Sequence, residues 1–382
     1  MSDYKKYNNT KLAISIAKAV VSFLLILIFV ASGWSLKYFE IVSKIHPNEY
    51  LQFLGFVFSL GIISSILFFP LNFYSSFLLE HKYKLSNQTF LKWCWENIKG
   101  MLIGIPIAIP ILLFFFYSLK NFENLWWLPF AIFLFLISVV LARIIPTFIL
   151  PLFYKITPIE DEALREKIKI LAADVNLKIE NVYKFDMSKN TKKANAAFTG
   201  IGKSKRILLG DTLLDSYTQD EIETVLAHEF GHYKKKHIQK NILLGTIFSF
   251  LTLFIISSLY SFSLSYFGFS LITEIAALPI LLLWSMLVSI ITSPISSYIS
   301  RKYEYEADDY AVTSTLKPAA FISTLNKLTD QNLGDKEPHP LVEWFFYSHP
   351  SIKKRIDAIH KVCVQKNINF SLNENKIVGE SL

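Results

Sequence analysis

"AHEFGHYKKKH", residues 227–237, sets two histidines four apart with a glutamate directly after the first. From Asn241 an uncharged stretch runs on to Thr273, long enough to cross a hydrocarbon core as a helix. The fold turns on how this junction is read. Upstream, "TQDEIETVL" (218–226) offers Thr218 as an N-cap and acidic residues in the first turn, so the quoted stretch sits on a helix. On a helix, residues four apart share a face, so His228 and His232 can present their imidazoles to one ion. Glu229, next to His228, matches the position that accepts a proton from water in the HExxH pattern of zinc peptidases. An amphipathic helix with two exposed histidines would look the same, since only three letters in five are fixed.

A zinc site of this kind needs a third protein ligand and an open position. The residue six beyond His232 is Ile238, so no histidine stands where a longer histidine motif would put one. His237 is one residue short and, on a continuous helix, points off the metal-facing side. The alternative is a carboxylate from elsewhere. "SRKYEYEADDYA" (300–311) carries Glu304 and Asp308 four apart, the spacing of a metal ligand and an acceptor for a ligand histidine's far nitrogen. Alone, this segment reads better as a solvated acidic patch closing a helix near the membrane surface.

Composition places the junction in a lipid setting. Of 382 residues, 52% are hydrophobic, 15% aromatic and only 18% charged, the balance of a chain partly solvated by lipid. Six runs can span: 19–36, 51–79, 100–119, 124–142, 241–273 and 275–300. The third and fourth, and the fifth and sixth, read as helical hairpins. The first run is too long for a signal peptide and lacks a small-residue cleavage site, so it is expected to be retained. Lysines gather before the first run, between the second and third, between the fourth and fifth, and after the sixth, which predicts both termini inside. The net charge of +8 is thus first a topology signal, and no basic stripe interleaved with stacking aromatics supports nucleic-acid binding. Cys94 and Cys363 both fall on the inner side, match no zinc spacing and are expected as free thiols.

Between the fourth and fifth spans, residues 155–240 have the makings of a small α/β unit. Leu164, Ile168, Leu171, Ala172 and Val175 recur with helical spacing. "IENVYKF" reads as a strand, and "NAAFTGIGKSKRILLGD" as two strands joined at Gly202-Lys203-Ser204.

Taken together, "HEFGH", a hydrophobic hairpin and "SRKYEYEADDYA" resemble the integral-membrane zinc metalloproteases that include the CAAX prenyl protease type 1 family. "HKYKLSNQT" (81–89), "LPLFYKITPIED" (150–161), "NAAFTGIGKSKRILLGDTLL" (195–214), "VLAHEFGHYKKKH" (225–237) with its extra histidine at 237, and "YSHPSIKKRI" (347–356) extend the resemblance from about residue 50 to about 360. It implies one Zn2+ per chain held by His228, His232 and Glu304, with Glu229 as general base and Asp308 behind a ligand histidine. It implies that His349 and Arg355 line the cleft near the scissile carbonyl. Asn195 and Ala196 would lie on the strand against which substrate pairs. This chain has six spans where the familiar eukaryotic members have seven, and it lacks their longer soluble insertions.

The expected fold is a mainly α, polytopic membrane protein with about six transmembrane helices and a gluzincin-type α/β catalytic domain on the cytoplasmic side. Its expected parts are a four-helix membrane region (1–150), a catalytic α/β segment (151–240) and a transmembrane hairpin (241–300). The rest of the catalytic domain (301–366) and a polar tail (367–382) follow. The expected function is a membrane-embedded zinc metalloendopeptidase acting on membrane-associated or lipid-modified peptides or proteins, with membrane lipids as further partners and no nucleic acid. The membrane would be the plasma membrane in a prokaryote and the endoplasmic reticulum in a eukaryote. Two rivals stand beside it. A heat-shock-type membrane quality-control metalloprotease shares the zinc residues on a shorter chain. A catalytically silent scaffold or transporter would be expected to lose part of the HExxH–Glu set or to carry ionisable residues mid-helix.

Overall fold

A computed structural model describes residues 2–175, 182–200 and 206–369. The described chain is mainly helical and divides into two compact units. The membrane unit comprises Lys5–Ile149 and Asn241–Ser293. The catalytic unit comprises Ser2–Tyr4, Leu150–Lys240 and the chain from Pro294 onward.

Six helical stretches are long and apolar enough to span: Asp3–Ala31, Glu49–Lys82, Phe90–Asn121, Glu123–Phe153, His237–Phe267 and Ile275–Thr315. Their number agrees with the sequence reading, and their ends differ from it. The first helix begins at Asp3, so Lys5, Lys6 and Lys11 lie on it rather than ahead of it. It also stops at Ala31 rather than running to Leu36. Gly33 takes the left-handed conformation (φ 74°) that a side chain disfavours, and a separate helix starts at Trp34. Two lysines of the first helix have partners: Lys11 pairs with Glu80, and Lys18 Nζ donates to Asn72 Oδ1 at 2.5 Å. The interior is aromatic, with Phe53 stacked on Phe116 (centroids 4.7 Å apart) and Trp126, Tyr260 and Leu119 buried around them.

In the catalytic unit a four-stranded sheet has the order β1-β2-β4-β3. Its strands are β1 (Ile156–Pro158), β2 (Val182–Phe185), β3 (Ala196–Thr199) and β4 (Arg206–Gly210). β3 and β4 are antiparallel, with Ala196 opposite Leu209 and Thr199 opposite Arg206, as the expected hairpin requires. Its proposed turn at 202–204 lies outside the described residues. β1, too short to show a period, was not legible in sequence; it pairs with β2.

The helix Glu162–Asp174 buries Leu164, Ile168, Leu171 and Ala172, the positions its period predicts. Those side chains pack with Ile207 and Leu209 of β4 and with Ile222, Leu226 and Phe230 of the HExxH helix, Gln219–Lys234. That helix starts in a capping box: Thr218 Oγ1 accepts from the Glu221 amide, and the Glu221 carboxylate accepts from the Thr218 amide. The core behind the helix's other face joins Ala227 to Ala311, Val312 and Phe321, and to Ile352, Ile359 and Cys363.

Candidate active site

Two helices build the site. The HExxH helix carries His228, Glu229 and His232, and the long helix Pro279–Thr315 carries Glu304 and Asp308. Gly231 lets them meet. A Cβ there would stand 2.9 Å from Ala307 Cα, closer than real contacts allow, and a tight 3.0 Å from its carbonyl oxygen. With glycine at 231 and alanine at 307, the helix backbones come close enough for side chains on both to converge.

One ligand atom each from His228, His232 and Glu304 lies within 4.8 Å of the others. The individual separations are tighter. The two Nε2 atoms are 3.2 Å apart. His228 Nε2 is 3.5 Å from Glu304 Oε2, and His232 Nε2 is 3.4 Å from Oε1. A tetrahedral ion with bonds of about 2.0–2.1 Å holds its ligand atoms roughly 3.3 Å apart, so these residues fit one. Glu304 is buried, and its Oε2 makes no hydrogen bond, an arrangement that is costly for a carboxylate unless a cation shares the site.

Asp308 stands one helical turn beyond Glu304. Its Oδ1 lies 2.9 Å from His228 Nδ1, the far side of that ring. The same carboxylate accepts from Arg355 Nε at 2.8 Å and Nη2 at 2.5 Å. Arg355 Nη1 is left 3.6 Å from Glu304 Oε2. Burial opposes a charge on His228, yet the Asp308 carboxylate on its Nδ1 and the nearby Glu304 carboxylate outweigh it and push the imidazole up to about 9. Burial likewise opposes the Arg355 charge, and Asp308 outweighs it, raising the guanidinium above its ordinary range. Two buried carboxylates, Glu304 and Asp308, thus face this pocket.

His349 is exposed, with Nε2 3.5 Å from Glu304 Oε1 and Nδ1 against the Ser348 hydroxyl at 3.0 Å. The half-buried side chain of Glu229, beside His228, has no hydrogen bond or ion pair among the described residues, leaving its carboxylate available. Among the described residues β3 pairs with β4 alone and forms the edge of the sheet. Ala196 packs into the cluster containing Phe230, which puts this strand against the HExxH helix. Asn195, just before the strand, accepts from the Gly210 amide through its carbonyl at 3.0 Å.

The catalytic family model described as peptidase family M48 matches residues 158–362. The chain belongs to peptidase family M48. A second model, described as the CAAX prenyl protease N-terminal region with five membrane helices, matches residues 1–155, where four of this chain's spans lie. Among curated proteins, an uncharacterised metalloprotease of Bacillus subtilis is 32% identical over 94% of this chain and 84% of its own length. CAAX prenyl protease 1 of Saccharomyces cerevisiae is 34% identical over 86% of this chain and 75% of its own. The crystal structure of Ste24p from S. mikatae superposes with a TM-score of 0.83 at 30% identity, covering 93% of this chain and 88% of that one. This M48 protein is therefore a multi-pass membrane metalloendopeptidase whose substrates are peptides or proteins.

Helical spacing alone misplaced one residue beside the site. On a continuous helix His237 would face away from His232, but the HExxH helix ends at Lys234 and Lys236 turns left-handed (φ 59°). A new helix begins at His237, whose Nδ1 comes 2.9 Å from His232 Nδ1. Three lysines in a row before a histidine gave no turn signal; neither glycine nor proline marks the break.

Proposed function

We propose that His228, His232 and Glu304 hold one zinc ion and that Glu229 is the general base of peptide-bond hydrolysis. Support comes from one observation above the others: four side-chain atoms from two helices converge at the spacing of a tetrahedral ion with a histidine–histidine–glutamate donor set. When bound, zinc supplies Lewis acidity that polarises the scissile carbonyl and makes water a nucleophile near neutral pH. Glu229 takes the proton of the attacking water and passes it to the leaving amine. Asp308 keeps His228 in the tautomer whose Nε2 is free, and Arg355 holds that carboxylate in place. His349, at the exposed rim, donates a hydrogen bond to the oxygen on which charge develops. The edge of β3, with Asn195 and Ala196 at its start, pairs with an extended substrate, fixing its register through backbone bonds.

The substrate class we infer is a membrane-associated or lipid-modified peptide, in line with the prenyl-protease relatives and the chain's own spans. A matched pair of peptides, with and without a C-terminal isoprenoid, separates lipid preference from general peptidase activity. In that assay Glu229→Gln should keep one zinc per chain and lose about 10²–10⁴-fold in rate, because it removes a proton acceptor and no ligand. Loss of zinc from folded Glu229→Gln, or near-parental cleavage, would overturn the assignment. The lysine distribution supports a cytoplasmic catalytic unit and cytoplasmic termini. A cysteine at exposed Ser265 should then label from outside intact cells and one at exposed Ser216 should not. Equal labelling of the two would refute this sidedness.

A further inference from the structure

We propose that His237 and Glu306 are positioning residues that fix the tautomer and aim of His232, the counterpart of what Asp308 does for His228. This inference rests on the reading that His228, His232 and Glu304 hold the ion.

The geometry is a three-member chain. His232 Nδ1 is 2.9 Å from His237 Nδ1, and His237 Nε2 is 3.0 Å from Glu306 Oε2. The His237 ring lies flat on Tyr303, with centroids 4.1 Å apart and planes 11° from parallel. His237 is 1% exposed, so the ring has no solvent into which to turn. Lys240 Nζ stands 3.7 Å from the same Glu306 oxygen, which suits a carboxylate there.

Proton counting then leaves one arrangement for neutral imidazoles. A carboxylate only accepts, so His237 carries its proton on Nε2 and donates it to Glu306. Its Nδ1 is therefore a lone pair. Two ring nitrogens 2.9 Å apart need one proton between them, so His232 carries its proton on Nδ1. His232 Nε2 is then an unprotonated donor, and it is the atom that faces His228 Nε2 and Glu304. Glu306 thus decides, through His237, which nitrogen of His232 is open to a cation. Without the chain, His232 could hold its proton on Nε2 and close the site.

Helix geometry explains the intermediate. Glu304, Glu306 and Asp308 follow one another at alternate positions on one helix. At 100° per residue Asp308 comes back to the face of Glu304, whereas Glu306 lies about 200° round from it. Asp308 can touch a ligand histidine directly. Glu306 faces away from the ligand cluster and needs a bridging group, which the left-handed turn at Lys236 delivers by starting a helix at His237.

The test uses the full-length protein in detergent, with zinc affinity measured by chelator competition and the electronic absorption of the Co2+-loaded form as a second readout. His237→Phe keeps a ring against Tyr303 and removes both nitrogens. Its zinc Kd should rise about 10–100-fold, the usual consequence of losing a ligand's hydrogen-bonding partner. Activity at limiting zinc should fall with it and recover in excess zinc, with KM little changed. Glu306 is about a quarter exposed in its side chain, so Glu306→Ala should fold even if His237→Phe does not, and should weaken zinc in the same direction. The double variant should be no worse than His237→Phe, because the two act in series. Lys240→Met should leave zinc affinity within about two-fold, since that lysine touches only the far end of the chain. Parental zinc affinity in folded His237→Phe or Glu306→Ala, or losses that add in the double variant, would overturn the proposal. His232→Ala separates this from the underlying site. If it binds zinc like the parent, the ligand assignment itself falls; if it loses zinc while His237→Phe does not, only the positioning role falls.

Discussion

The membrane unit and the catalytic unit carry exposed isoleucines that look alike by accessibility and differ in what surrounds them. Ile66, in the second span, is 69% exposed, and Ile170, in the helix packed on the sheet, is 59% exposed. Around Ile66 the exposed neighbours Ile62, Ile63, Leu67 and Phe69 form a continuous apolar surface, as a helix facing lipid must. Ile170 sits between Lys167, Lys169 and Asp174 on a helix whose apolar stripe is already spent on the core. The interiors are reversed in the same way. The membrane unit buries aromatic and aliphatic side chains, while the catalytic unit buries Glu221, His237, Glu304, Asp308 and Glu343. Exposure alone therefore does not define a surface residue; the solvent does.

Three substitutions test that contrast, the largest effect first. Asp308→Ala should leave the buried Arg355 guanidinium without its bidentate partner and cost about 3–5 kcal/mol of stability. Thermal unfolding of the purified protein reads this. A midpoint unchanged from the parent would mean that the catalytic unit is not held by its polar interior. Ile66→Lys should cost about 3 kcal/mol, the penalty for a lysine near the middle of a membrane helix. Reconstitution in lipid nanodiscs, followed by thermal unfolding, provides the comparison. Ile170→Lys, made in the same background, should change stability by no more than about 0.5 kcal/mol, as at an ordinary water-facing site. Similar losses from both isoleucine variants would erase the distinction between the two surfaces.

Much of this was legible before any coordinates. Six spans are a matter of length and hydropathy, because lipid forces every backbone group into internal hydrogen bonds and leaves helices as the economical solution. Thr218, with acidic residues in the first turn, marked the start of the HExxH helix because a cap is satisfied within four residues of sequence. His228 with His232, and Glu304 with Asp308, share faces through the same local geometry. The break at Gly33 was missed because the apolar run continues across it, and hydropathy does not register one residue's φ.

What sequence alone determined is therefore the set of elements that need only local rules: spans, caps and pairs four residues apart. That 72 residues beyond His232 a glutamate would return to it required the resemblance to a known family, since spacing by itself left Glu304 in an acidic patch. The tertiary structure decided the rest. The close approach of Gly231 to Ala307 brings two distant helices to ligand distance, and a left-handed turn at Lys236 swings His237 behind His232. Both depend on contacts between segments far apart in the chain or on a single backbone dihedral, and neither leaves a periodic trace in the order of residues.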